Sequence, residues 1–301
     1  MQSVPSPTIW GNHRLDWGQH TYVMGIVNVT PDSFSGDGLV DASRSQDEII
    51  HHAVTQAQNY VVEGAAMIDV GGESTRPGAA PLALEQELAR VIPVIHTLSI
   101  TLPKETIISI DTYKAEVAKQ ALDAGASLVN DISALRGDPH MAALVSEYRV
   151  PVVLMANMRN YQKREIVSDV TRYLSSSIDY ALSAGIPWDN LFIDPGIGFG
   201  TTPAENLTLL RRLGELRVLG RPILLGTSRK STIGIVLGGL PAGERLEGGA
   251  ATIALGIAQG TDIVRVHDVR AMMRVVKMTD AIVRQNWQSF DPSIQNQEKN
   301  T

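Results

Sequence analysis

Several apolar runs of this chain end in a polar side chain of a kind that binds ligands. Asp111, Asn130 and Asp194 close three such runs, in the sequences Ser-Ile-Asp, Leu-Val-Asn and Phe-Ile-Asp. Buried carboxyl and amide groups must be paired, so we expect either mutual hydrogen bonds or a polar ligand among them. A flat, nitrogen-rich heterocycle would present the donors and acceptors that these side chains require.

Basic side chains close the last two apolar runs. Lys230 follows the seventh run, and Arg265 and His267 end the eighth. The last two strands of a parallel barrel commonly bind phosphate, and a helix that begins near Ser231 would add backbone N–H groups. Asn28 closes the first run and could help hold a Mg²⁺ ion on a diphosphate, since Mg²⁺ takes oxygen ligands. These residues predict one ligand, a heterocycle that carries a phosphate or diphosphate.

Each of these residues has a structural alternative when it is considered alone. Asp is a favoured N-cap residue, so Asp111 could begin the helix that follows it. Asn28 could be a turn residue, and Lys230 with Arg229 could be a solvated pair. Their placement favours a site, because nearly every predicted strand ends in a polar group at one face of the fold.

The elements that must position these residues alternate between apolar runs and amphipathic stretches. We predict strands over residues 21–27, 66–70, 106–110, 127–129, 151–155, 191–193, 222–225 and 262–266. We predict helices over residues 46–63, 84–98, 114–124, 140–147, 167–184, 203–213, 244–259 and 269–284. Eight strands that each precede a helix predict an α/β fold, a single-domain (β/α)₈ TIM barrel. A doubly wound open sheet is the alternative, but no Gly-x-Gly-x-x-Gly follows the first strand.

Composition excludes several classes of partner. The net charge of −6 and the aromatic content of 5% argue against nucleic acid and anionic membranes. The chain has no cysteine, which rules out disulfides and thiolate metal sites and fits a cytoplasmic location. We expect an N-terminal arm over residues 1–18, the barrel over 19–285 and a polar C-terminal tail over 286–301.

Four long motifs and a short one resemble those of the dihydropteroate synthases, which are pterin-binding TIM-barrel enzymes. The motifs are Asn28-Val-Thr-Pro-Asp-Ser-Phe-Ser35, Gly72-Glu-Ser-Thr-Arg-Pro-Gly78, Asp194-Pro-Gly-Ile-Gly-Phe199, Ser228-Arg-Lys-Ser231 and Arg265-Val-His267. The resemblance extends from about residue 24 to residue 281. It implies a transferase of folate biosynthesis, which condenses 6-hydroxymethyl-7,8-dihydropterin diphosphate with para-aminobenzoate and releases diphosphate.

The resemblance also implies roles for individual residues. It implies pterin contacts for Asp111, Asn130, Asp194 and Lys230, and diphosphate contacts for Asn28, Arg265 and His267, with Mg²⁺ held through Asn28. It implies a para-aminobenzoate pocket made of Thr75, Arg76, Pro77, Phe34, Phe199 and Ser231. Asp111, Lys230, Arg265 and Asn28 would carry the catalysis, and Asp111 would stabilise positive charge on the pterin methylene group. A homodimer through helices near the C-terminus is the implied assembly.

Two departures from the family pattern and two alternative functions accompany this resemblance. The order Gly36-Asp37 and the residue Ala156 differ from the pattern common in the family, and we expect them to tune affinity only. A methyltetrahydrofolate–corrinoid methyltransferase would share the pterin residues but would not need Lys230, Arg265 and His267 for a diphosphate. A non-catalytic pterin-binding paralogue is the second alternative, and loss of Asn28, Arg76 or Lys230 would mark it.

Overall fold

Eight parallel strands form a barrel with helices around it. The structure, a computed structural model, describes residues 4–30, 45–74 and 80–285. The barrel strands are β3 (Tyr22–Asn28), β4 (Met67–Gly71), β5 (Ile107–Asp111), β6 (Leu128–Asp131), β7 (Val152–Met155), β8 (Leu191–Asp194), β9 (Leu224–Leu225) and β10 (Ile263–Val266). They pair in the order β8-β7-β6-β5-β4-β3-β10-β9, and a parallel bridge between Ile193 and Ile223 joins the two ends. The predicted (β/α)₈ barrel is therefore confirmed.

Helices follow the barrel strands on the outside. They are α1 (Gln46–Val62), α2 (Leu84–Thr101), α3 (Ala115–Asp123), α4 (Met141–Tyr148), α5 (Ile166–Ser183), α6 (Pro203–Arg211), α7 (Ser231–Val236), α8 (Leu246–Ala258) and α9 (Val269–Val283). Capping boxes explain two of the sharp starts. Ser45 and Glu48 cap α1 reciprocally, and Thr202 and Glu205 do the same for α6. Among the described helices, none is long and apolar enough to cross a membrane.

The barrel interior and the strand–helix layer form one apolar core. Val, Ile, Leu and Met side chains of the barrel strands are almost fully buried, as strands covered on both faces require. Polar groups appear where the strands end, at Asn28, Asp111, Asn130 and Asp194. The carboxyl ends of parallel strands meet at one face, so the fold gathers these side chains at the barrel mouth.

A short hairpin precedes the barrel and was not predicted from the sequence. Strands β1 (Thr8–Trp10) and β2 (His13–Leu15) pair antiparallel through a two-residue turn, Gly11-Asn12. Trp10 is buried and its indole N–H donates to the Ser127 carbonyl at 2.7 Å. The hairpin lies within the segment predicted as an arm, at the amino-terminal end of β6. The domain boundaries after residues 18 and 285 stay predictions.

Candidate active site

Strand register places two of the predicted pterin residues, Asp111 and Asn130, side by side. Asp111 lies level with Gly71 on one side and with Asn130 on the other, and Asp194 lies level with Met155. A Cβ atom on Gly71 would lie 3.4 Å from the Cβ of Asp111, so the glycine leaves the Asp111 side chain room. Asn130 and Asp194 are buried, whereas Asp111 is partly open to the mouth. The carboxyl ends of β5, β6 and β8 thus carry two carboxyls and an amide at one face of the barrel.

Arg265 joins these side chains from the last strand. Its Nε donates to Asp69 Oδ2 and its Nη2 to Asp111 Oδ2, both at 2.6 Å. Asn130 Nδ2 donates to the same Asp69 oxygen at 3.0 Å. Burial alone would lower the pKa of Arg265, but the Asp69 and Asp111 carboxylates raise it above its ordinary value. The guanidinium therefore stays charged and fixes both carboxylates.

Asp69 was not among the predicted site residues, although it is central to this network. It is fully buried in β4, and its Oδ1 has no hydrogen-bond partner within residues 4–30, 45–74 and 80–285. The sequence did contain a signal, since Asp69 interrupts the apolar run Ala66-Met-Ile-Asp-Val70. A charge inside a strand that is buried on both faces needs a partner, and here that partner is Arg265.

Burial raises the pKa of Asp111 to about 7, further from the ordinary carboxyl value than the pKa of about 6 for Asp194. The Arg265 charge opposes this effect, and the charges of Asp69, Glu87 and Asp131 reinforce it. A carboxyl group with such a pKa exchanges its proton near neutral pH. Perturbed pKa values of this kind concentrate at functional sites.

Asp194 and Lys230 form a second pair of perturbed groups across the mouth. Burial raises the pKa of Asp194 to about 6, although the Gly196 N–H, which donates to Oδ1 at 2.7 Å, opposes it. Burial lowers the pKa of Lys230 to about 8, against the attraction of Asp194. The Lys230 ammonium lies 4.3 Å from the centre of the Phe199 ring, a cation–π distance. Phe199 therefore lies beside Lys230, and its role in substrate binding stays a prediction.

His267 and Ser228 meet at the ends of the last two strands. The Ser228 hydroxyl lies 3.0 Å from His267 Nδ1 and accepts the His267 backbone N–H at 3.2 Å. Burial, with the charges of Arg229 and Arg265, lowers the pKa of His267 to about 3. His267 is therefore a neutral imidazole in the free protein. Arg229 is paired with Asp268 at 2.7 Å and is not an unpaired surface cation.

The other predicted residues lie at the end of β3, at the start of α7 or outside the described residues. Asn28 ends β3 level with Gly71, at the same height as Asp111. Ser231 is the first residue of α7 and is exposed. Phe34, Thr75, Arg76 and Pro77 lie outside the described residues, as do Gly36 and Asp37. No group of three or more His, Asp and Glu side chains suited to a metal occurs in the described part of the chain.

The departure at Ala156 lies beside a tightly packed glycine. Ala156 N–H donates to the Asp194 carbonyl at 2.9 Å, which extends β7 along β8. A Cβ atom on Gly196 would lie 1.9 Å from the Ala156 carbonyl oxygen, so this position requires glycine. Gly196 is also the residue whose N–H binds Asp194. The backbone of Ala156 therefore packs against the loop that holds Asp194, whatever side chain it carries.

A further ion cluster stands at the ends of the segment that contains residues 75–79. The Lys114 ammonium donates to Glu73 Oε2 at 2.6 Å, to Glu87 Oε2 at 2.5 Å and to the Leu82 carbonyl at 2.7 Å. Burial would lower the pKa of Lys114, but the bonds to Glu73 and Glu87 outweigh it and raise the pKa. Since Glu73 precedes and Leu82 follows residues 75–79, one ammonium group joins both flanks.

Comparisons with a protein family, with individual proteins and with solved structures all show similarity to pterin-binding enzymes. The sequence pattern of the pterin binding enzyme family matches residues 24–267. The dihydropteroate synthase of Synechocystis sp. is 44% identical over 287 residues, covering 93% of this chain and 96% of that protein. The solved dihydropteroate synthase of Clostridium difficile, in the presence of pteroic acid, is 47% identical with a TM-score of 0.82, covering 90% of this chain and 99% of that one. That of Xanthomonas albilineans, in complex with 7,8-dihydropteroate, is 38% identical with a TM-score of 0.80, covering 90% and 96%.

Proposed function

The chain belongs to the pterin-binding enzyme family, in which it is a dihydropteroate synthase of folate biosynthesis, and we propose that the barrel mouth is its active site. The enzyme is a transferase that condenses 6-hydroxymethyl-7,8-dihydropterin diphosphate with para-aminobenzoate and releases diphosphate. The observation that carries the proposed site is a hydrogen-bonded cluster in which Arg265 binds both Asp111 and Asp69, and Asn130 binds the same Asp69 oxygen. The residue assignments below are part of the proposal.

Four side chains recognise the pterin ring. Asp111 and Asp194 accept hydrogen bonds from ring and amino N–H groups, while Asn130 can donate and accept. Lys230 donates to a ring acceptor and, with Phe199 beneath its ammonium at 4.3 Å, bounds the pocket. The pKa values of about 7 and about 6 for the two carboxyls support this assignment, because a ring N–H would add a hydrogen bond that compensates for the hydration lost on burial.

Arg265 and His267 receive the diphosphate. Arg265 binds two carboxylates already, so part of its charge is compensated before the substrate arrives. His267 is neutral, and a proton on Nε2 suits it for donating a hydrogen bond while the Ser228 hydroxyl donates to Nδ1. A bound diphosphate would raise the pKa of this imidazole by its negative charge. The anion therefore favours the protonated form of His267.

Mg²⁺ is the proposed metal, and Asn28 is its proposed protein ligand. Mg²⁺ is usually bound through one or two side-chain oxygens together with substrate phosphates and water, rather than by an all-protein cage. The donor chemistry here fits that pattern, since Asn28 supplies an amide oxygen at a strand end and the described residues contain no group of three or more His, Asp and Glu side chains suited to holding a metal. When bound, Mg²⁺ would neutralise charge on the leaving diphosphate.

Para-aminobenzoate is placed beside the pterin methylene group, between Phe199 and the start of α7. Phe199 is buried and Ser231 is exposed, so these residues offer an apolar wall and a polar group. Thr75, Arg76, Pro77 and Phe34 complete the proposed pocket. An aromatic carboxylate matches such a set, since the ring needs apolar contact and the carboxylate needs donors.

The proposed chemistry needs no protein nucleophile. As the bond to diphosphate lengthens, positive charge develops on the pterin methylene group and spreads into the ring. The Asp111 carboxylate, fixed by Arg265 at 2.6 Å, stabilises that charge. The amine of para-aminobenzoate then forms the new C–N bond and loses a proton. The residues contribute by orienting both substrates and by excluding water that would otherwise capture the cation.

One assay tests the function and the site together. Diphosphate release is measured from the dihydropterin diphosphate with Mg²⁺, in the presence and absence of para-aminobenzoate. We expect release that is coupled to formation of dihydropteroate and that stops when the metal is chelated. Tight pterin binding without turnover would instead point to a non-catalytic pterin-binding protein. Turnover that persists after Mg²⁺ is removed would reject the metal assignment alone.

A homodimer through α8 and α9 is the proposed assembly. Helix α8 is apolar nearly all round, which is typical of a helix covered on every side. Leu255 on α8 is 62% exposed, and Met278 and Ile282 on α9 are 63% and 65% exposed. We expect Met278→Glu combined with Ile282→Glu to convert the dimer to monomer in sedimentation. The matched change Val62→Glu, at an exposed apolar residue of α1, should leave it intact. A cytoplasmic location stays a prediction.

A further inference from the structure

Asn206 lies behind the barrel mouth and makes hydrogen bonds through both ends of its amide. It belongs to the first turn of α6 and is 1% exposed. Its Oδ1 accepts the Gly198 backbone N–H at 3.0 Å and the Thr201 hydroxyl at 2.6 Å. Its Nδ2 donates to the Thr232 hydroxyl at 2.8 Å. One buried amide thus bonds to two separate parts of the chain.

The two parts are the loop that follows Asp194 and the segment that carries Lys230, the two residues proposed to bind the pterin ring from this side of the mouth. Gly198 lies in the loop 195–200 that follows Asp194, and Phe199 is its next residue. Thr232 is the second residue of α7, directly after Ser231 and two positions from Lys230. Asn206 therefore connects the loop after β8 to the start of α7 through a side chain that is almost fully buried.

The connected segments are in direct contact at the mouth. A Cβ atom on Gly198 would lie 3.3 Å from Lys230 Cδ, so the loop backbone packs on the lysine stem. The Lys230 ammonium lies over the Phe199 ring. A flexible four-carbon side chain has several rotamers, and its ammonium is held in one place only if both surfaces around the stem stay fixed. Asn206 fixes the loop on one side and the helix on the other.

We propose that Asn206 is a positioning residue for pterin binding, which holds the loop 195–200 and α7 in the arrangement that aims Lys230 at the ring. This inference rests on the proposed role of Lys230 in the pterin pocket. Asn206 itself contacts neither substrate. Its contribution is preorganisation, because an ammonium that must search for its acceptor binds more weakly than one already aimed at it.

Calorimetric titration with the dihydropterin diphosphate, without para-aminobenzoate, tests the proposal. We expect Asn206→Ala to raise the Kd about tenfold, which corresponds to about 1.4 kcal/mol. Thr232→Val removes only the α7 end of the connection and should raise the Kd in the same direction. Thr232→Ser restores the hydroxyl and should bind as tightly as the unaltered enzyme. The double variant should lose no more than Asn206→Ala alone, because both changes break one connection.

Asn190→Ala is the matched control for a purely structural effect. Asn190 is a buried asparagine at the opposite end of the barrel, where its Nδ2 donates to the Arg149 carbonyl at 2.9 Å. We expect this change to lower the melting temperature and to leave the pterin Kd within about twofold. If Asn206→Ala does not fold, the comparison of Thr232→Val with Thr232→Ser decides the question.

The outcomes separate this inference from the function on which it rests. If the unaltered enzyme fails to bind the pterin, or if Lys230→Met binds it normally, then the proposed role of Lys230 is wrong. If Lys230→Met loses binding while folded Asn206→Ala retains the original Kd, then the positioning role alone is overturned. Equal losses in Asn206→Ala and Asn190→Ala would also overturn it, since they would indicate general destabilisation.

Discussion

Replacing Asp69 with asparagine should move the acid limb of the pH–activity profile to lower pH. The change is nearly isosteric and keeps an oxygen for the donors Arg265 Nε and Asn130 Nδ2, which both bind Oδ2. The new NH₂ group takes the place of Oδ1, which has no partner among the described residues. The substitution therefore removes one negative charge beside Asp111 with little change in shape.

The sign and size of the effect follow from the charges around Asp111. Its carboxylate is the active form in the proposed chemistry, so activity falls as the pH drops through its pKa of about 7. The charge of Asp69 contributes to raising that pKa. A charge within about 4–6 Å changes a carboxyl pKa by about 1–3. Arg265 lies between the two carboxylates and offsets part of their repulsion, so we expect a decrease of about 1, or about 1.4 kcal/mol.

The assay is kcat/KM for the dihydropterin diphosphate across pH 5–9, because this quantity reports groups of the free enzyme. Substrate ionisation is the same for every variant, so only differences between profiles are interpreted. Asp262→Asn is the control, since Asp262 is a buried carboxyl with a pKa of about 6 that accepts the Ile223 N–H away from the mouth. An active Asp69→Asn enzyme whose acid limb stays in place would refute the assignment of that limb to Asp111.

Three further predictions concern single side chains. Asp111→Asn should lower kcat by about 10²–10³-fold while the pterin Kd changes much less. Single-turnover kinetics and calorimetry measure the two quantities. A loss of pterin affinity without a loss of kcat would contradict the cation-stabilising role. Lys230→Met should abolish pterin binding yet raise the free energy of unfolding by about 1 kcal/mol, as measured by denaturant unfolding. The pKa of Lys230 is lowered in the folded state, so the folded state binds this proton less tightly than the unfolded state does. At pH 7 the ammonium is charged in both states, and its burial therefore destabilises the folded enzyme. Lys114→Met should raise the KM for para-aminobenzoate about tenfold by freeing the flanks of residues 75–79, whereas Lys119→Met, at an exposed pair, should not.

Most of the fold was predictable from the sequence because its local signals agree with its global arrangement. Strands buried on both faces appear as short runs of Val, Ile and Leu, and the predicted bounds of β3 and β4 differ from the observed ones by one residue at each end. The hairpin of β1 and β2 was missed because each strand has only three residues. Its Gly11-Asn12 turn is a recognised hairpin signal, but too few alternating residues flank it to predict strands.

The candidate site was predictable only to the level of residue type and strand end. Asp111, Asn130 and Asp194 stand where a parallel barrel puts its chemistry, so their types and places could be predicted from the sequence. The hydrogen-bond partners of these side chains could not be predicted, because the bond from Arg265 to Asp69 joins residues 196 positions apart. Asn206 was missed because its bond to Thr232 depends on how α6 packs against α7.

The pairing also explains why Asp111 suits the proposed chemistry better than an ordinary carboxylate. A carboxylate with an ordinary pKa is already stabilised in the free enzyme, so it gains little more when a cation forms beside it. Asp111 is desolvated and is repelled by the negative charge of Asp69. The positive charge of Arg265 offsets these effects, but Arg265 also binds Asp69 and so divides its charge between the two carboxylates. Positive charge on the pterin methylene group would supply the additional neutralising charge that the Asp111 carboxylate lacks in the free enzyme. The interaction is therefore stronger in the transition state than in the ground state, which is the condition for catalysis.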